Sequence, residues 1–553
     1  MIGSLLRPLE GSAARRLLLL CAFVLFVWNI WGYDLWAPDE PFFGEGAREM
    51  IVDGQWLVPH VNGLVNTHKP PLFFWLIALI SLPFGEVSSF TARLPSVLAA
   101  VVSVSATVYM ARRATTERVG LLAGAVLATS FLFWEKAHTA QIDSLLCCLI
   151  TLALLAFSEF RAGRLSGRSA GVAFWAACAL GTLAKGPVGL ILPLGTALIV
   201  LAVERRLGRW LSFAPLLGPL TFAAIAGAWV LALEVWPVEG YSVVGALREH
   251  FVDRAVSGLD HVRPWWYYAK TLPWVLFPWS LLLPGALLYA WRRRADAAVC
   301  LALVHSVFVV LFFSFSTEKR ELYVLPALPA FAFLLALFLD SQLSASEPGA
   351  PDTHRLSRRW LHLPQGLVGG LMVMVGLAVP FLARREYPDI VVPAVVIAIV
   401  FLAAGVLIIH ATRRARPGAV VRNTCLGMAA VLLALATLGY PIINPEKSGR
   451  VLAGEVAQAV AATGEPDITI AALDISNVIR PINFYTNGLY GQQFELWEMA
   501  GLLELFAGGE AFILIADRAG MPDLQPTDTN RMVELYETRL SRRDIVVFNV
   551  ESR

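Results

Sequence analysis

Residues Trp36–Pro71 read WAPDEPFFGEGAREMIVDGQWLVPHVNGLVNTHKPP, and they follow directly on the first apolar run, Leu17–Trp31. The segment crowds Asp39, Glu40, Glu45, Arg48, Glu49, Asp53, His60, His68 and Lys69 into a chain that is otherwise mostly compatible with lipid. Ionisable groups at a bilayer are costly unless water, a ligand or chemistry compensates them. A charged cluster placed just after the chain leaves the membrane is therefore where a reaction is expected.

The rest of the composition fits that frame. Of 553 residues, 57% are hydrophobic and only 16% charged, against about 25% charged in a typical soluble domain. Mean hydropathy is +0.64. The net charge of +2 speaks against nucleic acid as a partner. Arg7, Arg15 and Arg16 precede the first apolar run with no small-residue cleavage site behind it, so an uncleaved first helix is expected. The six cysteines lie in or beside apolar spans, without metal spacing, and read as buried thiols.

Arginine clusters set an expected sidedness, because Lys and Arg mark cytoplasmic loops. Clusters at Arg112–Arg118, Arg161–Arg168, Arg205–Arg209, Arg292–Arg294, Arg355–Arg359 and Arg413–Arg422 are each separated by two apolar spans. Thirteen spans result, near 17–33, 90–111, 119–134, 143–160, 169–184, 188–203, 211–236, 272–291, 297–316, 321–339, 364–383, 390–412 and 423–441. The N-terminus is then cytoplasmic and the C-terminus outside, with Arg384 and Arg385 as the one exception. Leu72–Phe84 has 13 residues, short of the roughly 20 that a span needs, and reads as a half-inserted outer helix.

The expected architecture is a polytopic α-helical membrane domain, 1–441, with outer loops 34–89 and 237–271. A small soluble α/β domain, 442–553, follows on the outer side. In it Arg450–Ala462, Glu495–Phe506 and Asn530–Leu540 read as helices, and Ile468–Ala472, Ala511–Ala516 and Asp544–Val550 as strands.

Under this topology the unusual polar residues gather in outer turns. Asp39 doubles as an N-cap candidate for a short in-plane helix ending at Gly54. That helix would turn Phe42, Phe43, Ala47, Met50 and Ile51 to the membrane and Glu45, Arg48 and Glu49 to water. Lys69 precedes Pro70-Pro71; its ordinary role would be snorkelling. Lys185, in AKGP between two spans, must point into the interface or a cavity. Arg254 in REHFVDRAV, with Lys319 and Tyr323 in STEKRELYVLP, adds groups that could neutralise a phosphate diester. Asp143 in QIDS opens a span as N-cap or site carboxylate. His60, His68, His138 and His250 could join Asp39 or Glu40 in a metal site, but no ligand spacing such as HExxH is present. A divalent metal is thus possible, His68 and His250 being its foremost ligands, and no cofactor is required. Trp265–Tyr268 reads as an aromatic belt.

These residues resemble a known family. LWAPDE, REMIVDGQWLVPH, NTHKPPLFFW, QIDS, AKGP and EKRELYVLP occur in that order over roughly residues 17–340. They look like the bacterial GT-C glycosyltransferases related to protein O-mannosyltransferases and to the lipid A aminoarabinose transferase. The resemblance implies transfer of a sugar from an undecaprenyl-phosphate type donor to a lipid, glycan or protein acceptor at the periplasmic face of a bacterial inner membrane. By it Asp39 is the catalytic carboxylate, Lys69, Arg254 and Tyr323 hold the lipid phosphate, and Lys185 and Asp143 line the cavity. Glu40 and Asp143 join Asp39 as candidate catalytic carboxylates, and Lys185 and Lys319 join the candidate donor-phosphate binders. The chain departs from the aminoarabinose pattern at Phe42-Phe43, where that enzyme has Arg-Tyr, and at His68, where it has Glu. The sugar and acceptor therefore stay open, with aminoarabinose transfer to lipid A as one alternative. A transporter or flippase of lipid-linked glycans is the alternative from another class.

Overall fold

The computed structural model describes residues 11–66, 69–247, 262–344, 356–386, 390–465, 468–473, 476–486, 494–497, 499–521, 531–540 and 543–552. The chain forms two compact units. The first comprises Met1–Ile30, Thr67–Leu72 and Leu94–Gly439; the second comprises Trp31–Asn66, Phe73–Arg93 and Tyr440–Arg553.

The first unit is helical. By length and composition, eight helices among the described residues can cross a membrane, and two bent pairs bring the number up to ten. Each of the thirteen expected spans overlaps a helix, but 17–33 is helical only as far as Val27 and 211–236 only from Leu217. Ser12–Val27 and Val188–Val203 have only 16 residues each, and Gly167–Lys185 is not among the helices apolar enough to cross. Two expected spans are not straight. Residues 119–134 break between Glu117–Ala128 and Phe131–Ala137 with a 68° bend, and 272–291 break between Tyr267–Val275 and Ser280–Arg292 with a 118° bend. Pro278 lies in the second break, where it can donate no backbone bond.

The groups freed at the two breaks satisfy each other. The Phe131 amide donates to the Phe277 carbonyl at 2.9 Å, and Trp279 Nε1 donates to Thr129 Oγ1 at 3.0 Å. Broken helix is stable at membrane depth only where its backbone groups find such partners. Four of the six cysteines are buried as expected, while Cys21 is exposed and Cys425 intermediate.

In the second unit the helix Asp39–Val52 is buried on most of its surface, including Glu40, Phe42, Phe43, Glu45 and Glu49. This corrects the in-plane amphipathic helix expected from the sequence. Phe42 and Phe43 stack against Phe73 and Phe74 at centroid distances of 5.1 to 5.6 Å. Gly46 permits that approach, since a Cβ there would come within 2.6 Å of Phe74. Two short strands, β1 (His60–Val61) and β2 (Leu64–Val65), close a hairpin behind the helix.

The C-terminal part of this unit holds a five-stranded sheet. Its strands are β3 (Ile470–Leu473), β4 (Phe494–Trp497), β5 (Phe512–Asp517), β6 (Met532–Leu540) and β7 (Arg543–Val550), in the order β4-β3-β5-β7-β6. β3 runs parallel to β4 and β5, whereas β7 is antiparallel to both β5 and β6. The helix Arg450–Thr463 covers one face through Leu452, Val456 and Val460. Of Asn530–Leu540, expected as a helix, the stretch Met532–Leu540 is instead β6, and Glu495–Phe506 falls partly in β4 and partly in the helix Met499–Gly508. In β6, pairing with β7 overrides a helix-compatible composition. A register shift between Glu534 and Tyr536 also puts Glu534 and Glu537 within reach of one cation, Arg518, which bonds both.

The sequence division at residue 441 also shifts. Asp34 accepts from Asn444 at 3.0 Å and Ser448 at 2.8 Å and pairs with Arg450 at 2.7 Å, while the Leu35 amide donates to Tyr485 Oη at 2.7 Å. These bonds make residues 31–66 and 73–93 part of the C-terminal unit rather than of the membrane unit.

Candidate active site

In the membrane unit Asp143 lies in the first turn of the helix Ile142–Arg161, where the helix dipole favours an anion. Lys185 is the last residue of the helix Gly167–Lys185, where the dipole favours a cation. Gly186 follows at φ 74° and ψ −155°, an extended conformation open essentially only to glycine, which ends the helix and starts the return into Val188–Val203. The two helices touch through Gly181 and Gly189, where a Cβ on Gly189 would sit 2.1 Å from the Gly181 backbone. This AKGP turn thus fixes where the Lys185 side chain leaves the fold.

Lys185 Nζ lies 2.5 Å from Asp143 Oδ1 and 5.0 Å from the ring centroid of Tyr323. Tyr323 enters on the 3₁₀ stretch Glu321–Ala327 and packs on Phe313, with centroids 5.2 Å apart. Lys69, Asp143, Lys185 and Tyr323 all line one cavity of about 1200 Å³. Beyond this polar end its walls are apolar, with Phe222, Ala226, Val230 and Leu231 from one helix and Phe308, Leu311, Phe312 and Phe315 from another. The arrangement suits an amphiphile with an anionic head and a long apolar body.

Four of the expected residues therefore meet. Lys319 does not join them: its ammonium donates to the Arg263 carbonyl at 2.9 Å and to the Ser316 carbonyl, and burial holds its pKa below the usual lysine range. Its neighbour Glu318, which sequence reasoning passed over, lines the cavity instead. Arg254, His68 and His250 lie outside the described residues. Among the described residues no group of three or more His, Cys, Asp or Glu is placed to hold a metal. His138 is a core histidine, its Nε2 3.1 Å from the Trp28 carbonyl and its Nδ1 3.3 Å from that of Trp134.

In the second unit Asp39 is the first residue of the helix Asp39–Val52, not its N-cap, and is half-buried. Glu40 beside it forms a two-pronged pair with Arg93: Nε to Oε1 and Nη2 to Oε2, each 2.7 Å. Arg93 is fully buried and also donates to the carbonyls of Tyr33 at 2.9 Å and Asp34 at 2.6 Å. Glu40 thereby anchors the segment that carries Asp39. Arg93 was missed in the sequence; its signal is a lone arginine in the first turns of an apolar helix, SFTARLPSVL.

Glu45 and Glu49, expected in water, are buried. Glu45 pairs with Arg48 at 2.7 Å, and both Glu49 oxygens accept from the Gly63 amide at 3.2 and 3.3 Å. Burial, and next the neighbouring Glu45 carboxylate, push Glu49 up to about 8.

The chain is similar to known proteins. The family described as dolichyl-phosphate-mannose-protein mannosyltransferase matches residues 68–231. An undecaprenyl phosphate-alpha-4-amino-4-deoxy-L-arabinose arabinosyl transferase of Pseudomonas fluorescens strain Pf-5 is 30% identical over 77% of this chain and 75% of its own. One of the same name from strain Pf0-1 is 32% identical over 57% of this chain. For that relative and for another from Pseudomonas aeruginosa strain UCBPP-PA14, the match spans only 56% and 60% of their own lengths.

Among solved structures, ArnT from Cupriavidus metallidurans bound to undecaprenyl phosphate superposes with a TM-score of 0.74 at 21% identity, covering 96% of this chain and 97% of that one. The oligosaccharyltransferase AglB from Archaeoglobus fulgidus gives a TM-score of 0.52 at 12% identity, over 91% of this chain and 69% of that one. These likenesses carry the fold alone. The sequence match over three quarters of the Pf-5 relative carries more: the chain belongs to the family of undecaprenyl phosphate-aminoarabinose arabinosyl transferases, the ArnT-like GT-C glycosyltransferases.

Proposed function

We propose that this multi-pass membrane protein is a glycosyltransferase that moves a sugar from a polyprenyl-phosphate donor to an acceptor hydroxyl or phosphate at the periplasmic face of the inner membrane. The observation that carries the reading is the cavity of about 1200 Å³, which gathers Lys69 and Lys185 with Asp143, Glu318 and Tyr323 at its polar end and, Glu234 apart, is walled mainly by apolar side chains beyond it. A phosphate head fits the first part and a prenyl chain the second. The acceptor oxygen attacks the anomeric carbon of the sugar, and the bond from that carbon to the phosphate oxygen breaks. The lipid phosphate leaves with the bonding pair. Lys69, Lys185 and Tyr323 offset its charge, with Arg254 as a further cation by its place in the sequence. Asp143 holds Lys185 at its post. Asp39 takes the hydroxyl proton, or orients an acceptor that is already ionised. The names of the relatives make 4-amino-4-deoxy-L-arabinose the first donor sugar to try.

The test uses the full chain in vesicles with an undecaprenyl-phosphate sugar. Asp39→Asn is expected to abolish transfer while the variant still retains the lipid phosphate. Transfer at a near wild-type rate would remove Asp39 from the reaction. Lipid movement across the vesicle without any transfer, by the wild-type chain, would favour the flippase reading instead.

A further inference from the structure

At the far end of the helix Ile142–Arg161 from Asp143 lies a second cavity, about 310 Å³ in volume. A helical rise of about 1.5 Å per residue puts the two ends roughly 30 Å apart, the thickness of a hydrocarbon core. Arg113, Arg161, Arg164 and Arg293 line it against a single carboxylate, Asp296, and it runs inward as far as His305 and Pro326.

The guanidiniums are held in place without being used up. Arg164 gives Nε and Nη2 to Glu159 at 2.9 and 2.5 Å, which leaves Nη1. Arg161 gives Nη1 to the Ala297 carbonyl at 3.0 Å and Nη2 to Glu204, and its side chain is only 5% exposed. Its Nε is buried with no acceptor among the described residues. Arg113 is exposed; its guanidinium lies over the Tyr109 ring and acts on the Glu159 carboxylate only at a distance, the direct bonds to Glu159 coming from Arg164. Buried donors are nearly always satisfied, so the Arg161 Nε calls for an acceptor in the cavity. Interhelical ion pairing alone does not explain that orphan donor.

We propose that this cavity binds a phosphate group, carried by a membrane lipid whose chain enters the cleft toward His305. Planar guanidiniums with spare N–H groups match phosphate oxygens. The inner walls, including Leu154, Leu301 and Phe333, offer nothing to a free ion but suit a chain. Its arginines lie at the opposite end of the helix Ile142–Arg161 from Asp143, although Pro326 borders both cavities, and the site does not depend on the proposed reaction.

The experiment is native mass spectrometry of the full chain in detergent, titrated with phosphatidylglycerol in one arm and inorganic phosphate in the other. Arg113→Gln removes a cavity cation while leaving the direct Arg164–Glu159 pair in place. Arg112→Gln, next to it but outside the cavity lining, is the control for general surface charge. Wild type and Arg112→Gln are expected to retain one lipid, and Arg113→Gln to bind it roughly tenfold more weakly. Binding of inorganic phosphate with the same Arg113 dependence would support a phosphate site filled by a free ion. Equal loss in both variants, or no loss in Arg113→Gln, would overturn the proposal. An Arg161→Gln variant adds a second reading, since it deletes the orphan donor itself.

Discussion

Lys185 and Asp143 sit at opposite-handed ends of two helices, a C-terminus and an N-terminus, with Nζ and Oδ1 2.5 Å apart. Each is favoured by its own helix dipole and by the other. The pair thus holds a preset ammonium at the polar end of the cavity, and not a mobile lysine that must find its place.

Removing that cation should act on the transition state. Lys185→Met is expected to lower kcat/KM for transfer by about 10²–10³, the range for one lost charge-stabilising donor. Asp143→Asn should cost less, because the ammonium remains but loses its orientation. The double variant should be less damaging than the product of the two, which a double-mutant cycle on initial rates would check. Additive effects would mean that the two residues act apart.

The buried Arg93–Glu40 pair predicts a different signature. Arg93→Met leaves a buried carboxylate without its partner and should destabilise by about 3–5 kcal/mol. Arg93→Met with Glu40→Leu should recover part of the thermal midpoint. It should not recover transfer, because the Tyr33 and Asp34 carbonyls that help place Asp39 stay unheld. Full recovery of transfer would make the pair purely structural.

Glu49 sets a pH dependence. Its folded pKa of about 8 stands above the ordinary value of 4.5, so between those pH values the folded chain holds a proton that the unfolded chain has released. Stability therefore falls as pH rises through that window and levels off above it. Glu49→Gln keeps the neutral form at every pH. It is expected to flatten the slope and to be more stable than wild type at pH 9, as read from denaturation midpoints at pH 6 and 9.

The Gly181–Gly189 contact can be probed through packing. Gly189→Ala puts a methyl 2.1 Å from backbone atoms that cannot swing aside. Overpacking of this kind typically costs about 1–3 kcal/mol. The helices should part and carry Lys185 away from Asp143, so KM for the donor should rise along with the loss of stability. Gly370→Ala, where a Cβ meets nothing within 4 Å and which lies outside the cavity lining, is the control.

How much of this could be read from the chain depends on the range of the interactions. Lys69, Asp143, Lys185 and Tyr323 were legible because each stands beside a Pro, a Gly or a span boundary, where a local rule limits the direction of the side chain. Arg93 and Glu318 were not, because their roles come from partners that no local rule identifies. β6 was misread for the same reason: MVELYETRL is compatible with a helix until β7 pairs with it.

The sequence by itself determined the membrane class, the run of apolar helices and the motif order that marks the family, since these rest on composition, span length and residue order. Only the tertiary structure decided that two spans bend and mend each other's backbone, and that Trp31–Asn66 and Phe73–Arg93 pack as one unit with the C-terminal sheet. It also turned Phe42, Phe43, Glu45 and Glu49 from an interfacial surface into a core. Burial is a property of what lies opposite a residue, and the segments opposite these come from elsewhere in the chain.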